Sequence, residues 1–502
     1  MGETQRQVGS AVFWSVCARG GRFILGLASS IIVVRGLGAH DYGVLSVVRT
    51  AIMFATIVAG VGMGQAILKF LPVLKVRGGT AGARSLILTV VSFQTVAWLL
   101  LLCVCYLVRH QFDLLFDIDG IGTLIAIAVG LASFQLYFTI LSHVLNSHYD
   151  TRFLSFANVM SHAIYIGLLF LFLPRWNVIG VVAAGAAGNF AAALLIVPQV
   201  LGHLRSTPGP DTGERIETPR LLRYSVPFAL IGILNVIVWR QSETLILAHY
   251  HGAALTGYFD LAYRLPQTML EFIPGTVWPI IMAGFSEVYA RNTGNLAAAI
   301  EKYYRVLFLL CAPICVYGLV LGGRMVVVLF GEGMSAAAVP AQLFFLIFTV
   351  SFFATPLSMS LYVIEKSYAN MLVYIGFAAV NVGLDLLLIP RYGLAGAIVP
   401  VGLVILLSPF IYFTVLSRYV SGIRVPFRFI LRCFAASSPV AILIPFLPSI
   451  RTPVGFILAT LGVLPLFLAG FKVMKVIGEE ERKLIDSIPL PLLGKAVRFI
   501  SG

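Results

Sequence analysis

Charge is what this sequence has least of. Only 11% of its 502 residues are Asp, Glu, Lys or Arg, against about 25% in an ordinary soluble domain. With 59% of the residues hydrophobic, a soluble globule could not hide its apolar surface, which excludes a cytosolic enzyme, a disordered chain and a disulfide-stapled secreted scaffold. Negative charge is scarcer than positive: 21 Asp and Glu face 35 Lys and Arg, a formal net charge of +14. On a soluble chain that excess would suggest nucleic acid. No basic run interleaved with aromatics lies in a soluble segment here, so no nucleic-acid partner is expected. On a membrane chain the first reading is the positive-inside rule.

Cysteine is scarce too. Cys17, Cys103, Cys105, Cys311, Cys315 and Cys433 all lie in apolar stretches, without a CxxC partner pair or a His at zinc spacing. They read as small buried hydrophobes, and no metal or cofactor is expected. A cleavable signal peptide is missing: Arg19 and Arg22 interrupt a long first apolar stretch, which reads as a retained membrane helix. The Met-Gly start lacks the later Ser or Thr of a myristoylation signal. No extramembrane segment is large enough to fold alone. The outer connections are short and hold no paired carboxylates, and His40, His249 and His251 are scattered at helix ends. A polytopic glycan polymerase or ligase is therefore disfavoured, and no enzymatic activity is expected.

What is present is apolar helix. A crossing needs about 20 mostly apolar residues, and charged, Pro- and Gly-marked punctuation leaves fourteen such stretches. They are spans 1 to 14, near 8–34, 42–68, 82–108, 121–146, 153–173, 178–202, 224–249, 256–285, 302–322, 339–364, 368–389, 394–417, 427–448 and 453–476. The reading is an all-α polytopic membrane protein with 14 transmembrane helices. A turn-rich linker (Thr207-Pro-Gly-Pro-Asp211) joins spans 6 and 7. The final 488–500 stretch is too short to cross and is expected in the interface or packed on the bundle. With the N-terminus in the cytoplasm, twenty-four Lys and Arg fall on that side. Only Arg35, Arg109, Arg175, Arg324, Arg391 and Arg451 fall outside. Both termini are therefore expected in the cytoplasm.

Three marks recur at nearly constant offset. Gly38-Ala-His-Asp-Tyr-Gly43 pairs with Gly252-Ala-Ala-Leu-Thr-Gly257, and Leu115-Phe116 with Leu329-Phe330, each 214 residues apart. Pro174-Arg175-Trp176 pairs with Pro390-Arg391-Tyr392 at 216. The unit is six helices. Because six is even, both halves start on the same side, giving two parallel lobes about a pseudo-two-fold axis along the membrane normal. The expected organisation is an N-lobe (1–205, helices 1–6), a cytoplasmic linker (206–223) and a C-lobe (224–420, helices 7–12). Helices 13 and 14 (421–478) and a cytoplasmic or interfacial tail (479–502) follow. Two facing bundles of this kind are transporter architecture.

Charges inside spans mark the wet faces, because a charge at bilayer depth costs roughly 2.5–3.5 kcal/mol on insertion scales. Span 1 carries Ser15, Arg19, Arg22, Gly26 and Ser29 on one helical face, and span 2 carries Tyr42, Ser46, Arg49, Met53, Thr56 and Gly60. Span 8 carries Asp260, Arg264, Gln267, Glu271, Gly275 and Trp278, and span 7 carries Arg240 and Glu243. These are repeat-equivalent elements, as a shared cavity lining would be. Plainer readings stand beside this one. Arg240 and Glu243 can pair near the outer surface, Asp260 and Arg264 can form a local ion pair, and Arg49 can snorkel. Glu271 can pair with an arginine or carry a coupling proton or cation. Spans 3–6 and 9–14 carry almost no mid-span charge, and Asp385 reads as lying near an end. Arg outnumbers acid on the stripes and Lys is absent from them. A planar guanidinium suits phosphate and carboxylate, so the expected cargo is an anion.

With these marks in place, the chain resembles the polysaccharide-transport branch of the MOP flippase superfamily, the Wzx-type O-antigen flippases. The matching stretches are Leu37–Gly43, Tyr224-Ser-Val-Pro-Phe228, Gly257–Leu265, Leu329-Phe-Gly331 and Ile389–Ala397. The resemblance implies twelve core helices in two lobes plus a C-terminal pair, in the bacterial cytoplasmic (inner) membrane. It implies a flippase moving polyprenyl-pyrophosphate-linked oligosaccharide, an O-antigen or other polysaccharide repeat unit, from the inner to the outer leaflet by alternating access. Expected partners are lipid-linked oligosaccharide, membrane lipids and glycan polymerase machinery. Arg19, Arg22, Arg49 and Arg264 agree in placement with the family's cavity arginines, while Arg240 has no secure equivalent. The candidate substrate-binding set is Arg19, Arg22, Arg49, Arg264, Gln267 and Arg240. Asp260, Glu271 and Glu243 are candidates for coupling or ion pairing. A MATE-like cation-coupled exporter of small amphiphiles is the alternative, and it would call for acidic rather than arginine-rich stripes.

Overall fold

The structure is a computed structural model that describes residues 2–77, 79–148, 150–205, 216–239, 242–291, 295–450, 452–476 and 478, with side chains along the first helix from residue 20 onward. The described residues form helices and their connections, with no strand. In order these are α1 (Gly2–Gly60), α2 (Met63–Arg77), α3 (Gly79–Leu107), α4 (Arg109–Phe116), α5 (Ile121–Ser147), α6 (Thr151–Arg205) and α7 (Thr218–Trp239). They continue with α8 (Glu243–Arg291), α9 (Leu296–Met325), α10 (Ala338–Val363), α11 (Ser367–Leu416), α12 (Phe427–Ser437) and α13 (Pro453–Val473). An all-helical backbone is what a bilayer imposes, since no water is there to satisfy a free N–H or C=O. Hydroxyls obey the same rule: Ser46, Thr50 and Thr56 donate to the carbonyls of Tyr42, Ser46 and Ile52 one turn back, at 2.8–3.0 Å.

Nine helices among the described residues are long and apolar enough to cross a membrane. Three of these, Gly20–Leu74, Arg152–Arg205 and Ser367–Leu416, have 55, 54 and 50 residues, more than twice the roughly 20 needed for one crossing. They turn at residues with positive φ. Gly38 (φ 72°) breaks α1, Asn177 (φ 44°) breaks α6 and Gly393 (φ 53°) breaks α11. Large apolar side chains cover the outside, among them Leu99, Leu107, Phe170, Phe410 and Leu461, a surface that suits lipid rather than water.

The internal repeat is written into the backbone. Gly38 (φ 72°, ψ −179°) and Gly252 (φ 78°, ψ 179°) share one conformation at the 214-residue offset. Asn177 (φ 44°, ψ −122°) and Gly393 (φ 53°, ψ −123°) share another at 216. Two glycines beyond the second turn repeat as well. A Cβ on Gly180 would stand 2.6 Å from the Phe172 carbonyl carbon, and one on Gly396 would stand 2.6 Å from that of Leu388. Each glycine is required because the hairpin folds its own backbone onto that site.

Two expected spans differ. Span 7 contains a turn at Ser242, with α7 described to Trp239 and α8 from Glu243; residues 240 and 241 lie outside the described residues. Span 13 is α-helical only from Phe427 to Ser437 and then winds as a 3-10 helix from Ser438 to Ser449. Pro439, Pro445 and Pro448 lie in that second part; each removes a backbone donor, so an α-helical ladder cannot persist. Most of the linker expected at 206–223 and nearly all of the 479–502 tail lie outside the described residues.

Contacts group the chain into two compact units, Met1–Gly257 and Tyr258–Gly502. In the first, α6 packs against α1 and α5. Gly36 allows one of these approaches, since a Cβ there would reach 2.5 Å from Leu173 Cδ2. In the second, α10 packs against α9 and α11. An aromatic cluster pins α8 to α10: Tyr263 meets Phe344 and Phe348 edge-on at 5.1 and 4.9 Å, and Phe259 meets Phe344 at 5.8 Å. Each such pair contributes about 0.5–1.5 kcal/mol beyond burial, which fixes the rotation of the α8 stripe.

Candidate functional site

The span 2 stripe divides into two parts. Tyr42 and Ser46 are fully buried. Arg49 is half-buried, with its guanidinium near the Tyr165 hydroxyl of α6. Below it, Met53, Thr56 and Gly60 line an open cavity of about 500 Å3. The upper part of the stripe is packing and the lower part is accessible.

The α8 stripe forms two local pairs. Arg264 Nε donates to both carboxylate oxygens of Asp260, at 2.7 and 2.9 Å. Asp260 is fully buried while the Arg264 side chain keeps 39% of its surface exposed. The acid is thus neutralised inside the protein, beside a guanidinium that is partly exposed. One turn on, Gln267 Nε2 donates to Glu271 Oε1 at 3.0 Å. Glu271 is exposed. Of the plainer readings, the Asp260–Arg264 ion pair is present, while the Arg240–Glu243 pairing lies outside the described residues.

The other candidates are placed separately. Arg22 is half-buried on α1, beside Gly21, which lies against Val159 of α6. Glu243 is buried at the start of α8. The Arg19 side chain and the whole of Arg240 lie outside the described residues, as do the side chains of Ser15, Gly275 and Trp278.

Two polar groups escaped the reading by charge. Asp385 is fully buried in the first half of α11 and accepts a hydrogen bond from Asn381 Nδ2 at 3.2 Å. Its position near a span end concealed this, although the i, i+4 Asn–Asp spacing on an apolar helix was a usable signal. The second group lies in the cavity below Arg49, which α1, α2, α3, α5 and α7 enclose. The chain bends between α1 and α2 at Val61 (φ 46°) and Gly62 (φ 68°). Only glycine fits the second position, because a Cβ would stand 2.9 Å from Phe228 Cβ and 3.1 Å from the Ala229 nitrogen. The bend strands the Gly60 carbonyl, and Gln94 Nε2 from α3 donates to it at 2.8 Å. Gln94 is only 3% exposed, and its Oε1 has no hydrogen-bond partner; nor does His143 Nδ1 on α5. A buried polar atom left unpaired costs about 1–3 kcal/mol. Neutral residues carry no charge signal, so the sequence did not mark this site.

A family profile described as "Polysaccharide biosynthesis protein" matches residues 32–339, more than half of the chain. The chain belongs to this polysaccharide biosynthesis protein family. The matched stretch contains the Arg49 stripe, the cavity and the α8 pairs, while Arg22 and Asp385 lie outside it. Among solved structures, this family member is similar to one described as lipid II flippase MurJ in an inward closed conformation. That match has TM-score 0.72 and 15% identity, covering 92% of this chain and 98% of that one. It is similar to an inward-facing multidrug resistance MATE family transporter of the MOP superfamily, with TM-score 0.64 and 15% identity over 80% of this chain and 94% of that one. A MOP superfamily transporter from Pyrococcus furiosus matches with TM-score 0.54 and 15% identity, over 82% and 96%. No curated protein sequence matches the chain. This polysaccharide biosynthesis protein is therefore a multi-pass membrane protein with the MOP superfamily fold, shared by flippases and transporters.

Proposed function

We propose that the chain is a flippase that carries polyprenyl-pyrophosphate-linked oligosaccharide from the inner to the outer leaflet of a bacterial cytoplasmic membrane by alternating access. The observation that carries this reading is the set of membrane-depth arginines without lysine, Arg22, Arg49 and Arg264, in a polysaccharide biosynthesis protein. A pyrophosphate is a dense, multiply charged anion, and guanidinium forks bind it through several charge-assisted hydrogen bonds. Outward movement is favoured by an inside-negative potential, at about 2.3 kcal/mol per negative charge per 100 mV. The lobes are the six-helix repeats 1–205 and 224–420, the crossings number fourteen, and both termini lie in the cytoplasm. Positioning and electrostatics suffice, so no catalytic residue is assigned.

Glycan export in cells tests this. Arg22→Ala or Arg19→Ala abolishes export at normal protein levels; full export by both variants overturns the anion-binding reading.

The buried acids Asp260 and Asp385 favour a second reading, cation-coupled export of small amphiphiles. Arg264 already neutralises Asp260, which weakens it. A drug-resistance assay separates the two.

A further inference from the structure

The cavity below Arg49 is uncharged. Its polar lining consists of Thr56, Gln65, Gln94, Thr139, His143 and Asn235, with no Lys, Arg, Asp or Glu among the lining residues. A phosphate site would call for guanidinium or ammonium, and a cation site for carboxylate. Hydroxyls, amides and an imidazole instead offer donors and acceptors side by side, the match for a ligand whose own groups do both. The rest of the wall is apolar, including Phe228, Ile57 and Leu136. A volume of about 500 Å3 lies within the usual range for small-molecule sites, about 300–1,000 Å3.

Two observations show a site rather than a packing gap. Gln94 is held by its Nε2 on the Gly60 carbonyl. That contact can only be made by the amide nitrogen, so the amide orientation is determined and Oε1 is the atom left over. This Oε1 and His143 Nδ1 are both buried without a partner. His143 lies against Gly64, where a Cβ would come within 2.5 Å of the ring nitrogen Nε2. The polar groups are thus held in place by backbone features.

We propose that this cavity binds an uncharged sugar residue of the lipid-linked glycan, its hydroxyl or acetamido groups pairing with Gln94, His143, Thr139 and Asn235 and its C–H face lying on the apolar wall. The inference rests on the flippase reading and assigns the glycan a site separate from the arginines that would hold the pyrophosphate.

Binding to the full chain in lipid nanodiscs tests it, with two probes: a short polyprenyl pyrophosphate carrying one N-acetylglucosamine, and the same lipid without sugar. The wild type binds the sugar-bearing lipid about tenfold more tightly, equivalent to about 1.4 kcal/mol. Asn235→Leu and the near-isosteric Thr139→Val each cut that preference at least threefold and leave affinity for the bare lipid unchanged, which also reports a folded protein. Arg22→Ala weakens both lipids equally. Equal binding of the two lipids by the wild type, with Arg22→Ala still weakening both, overturns the sugar site and leaves the flippase reading standing. A preference that survives both cavity variants also overturns it. Failure of the wild type to bind either lipid overturns both readings.

Discussion

Gly43→Ala probes a contact at which the two copies of the repeated turn meet. The hairpin after Gly38 and the one after Gly252 approach so closely that a Cβ on Gly43 would stand 2.5 Å from the Ala253 carbonyl carbon and 3.0 Å from the Gly257 nitrogen. Ordinary contact begins at 3.4 Å, so the two backbones must part by about 1 Å to admit one methyl group. Neither neighbour is a side chain that could rotate away. Overpacking of this kind costs about 1–3 kcal/mol, and a backbone clash belongs at the upper end. The helix-propensity gain of Gly→Ala offsets about 1 kcal/mol, leaving a net loss of about 2 kcal/mol. Gly26 is the matched control, since a Cβ there meets nothing within 4 Å; Gly26→Ala should raise stability by up to about 1 kcal/mol. The two variants therefore shift Tm in opposite directions in detergent. In membranes, Ala253→Cys is buried and resists a membrane-impermeant maleimide, but should label once Gly43→Ala parts the turns. Under alternating access the same variant lowers glycan export. A Tm as high as that of Gly26→Ala, with Ala253→Cys still protected, would refute the reasoning.

Other outcomes follow from the same geometry. Gly180→Ala and Gly396→Ala should each cost about 1–3 kcal/mol and by nearly equal amounts, because both would strike an equivalent carbonyl; thermal unfolding of each compares the two halves. Arg264→Ala leaves the fully buried Asp260 without its countercharge. The loss should fall near or below the low end of the about 3–5 kcal/mol for breaking a buried pair, because the arginine is part-exposed. The Asp260→Asn/Arg264→Ala double variant recovers most of it, as a double-mutant cycle would read. Gln94→Leu removes the side-chain cap on the Gly60 carbonyl and should cost about 1–3 kcal/mol, measured as a lower Tm, whereas Gln94→Glu, whose carboxylate faces that carbonyl, costs more.

How much was legible in the sequence depended on how local the cause was. Helical character followed from unbroken apolar runs, because a bilayer leaves the backbone no other way to satisfy itself. Two of the three repeated marks became repeated turns, and Gly38 with Gly252 shows why: one positive-φ geometry requires one residue type wherever it recurs; Phe116 and Phe330 end in different backbone conformations. Asp260 and Arg264 were legible as partners because four residues along a helix is a fixed distance. The turn at Ser242 and the 3-10 winding after Ser437 were not expected, although the three prolines of the latter were in plain view. The burial of Asp385 was not legible, because position near a span end says little about burial against neighbouring helices.

The sequence therefore settled the membrane class, the all-helical architecture, the repeat and the presence of costly charges in apolar helices, each a property of composition or of residues within a few turns of one another. Tertiary structure alone decided which part of the span 2 stripe is sealed and which is open. It also brought Gln94 of α3, His143 of α5 and Asn235 of α7 to one cavity. Those residues are uncharged and lie 49 and 92 positions apart along the chain, and only the packing of separate helices could give them a common purpose.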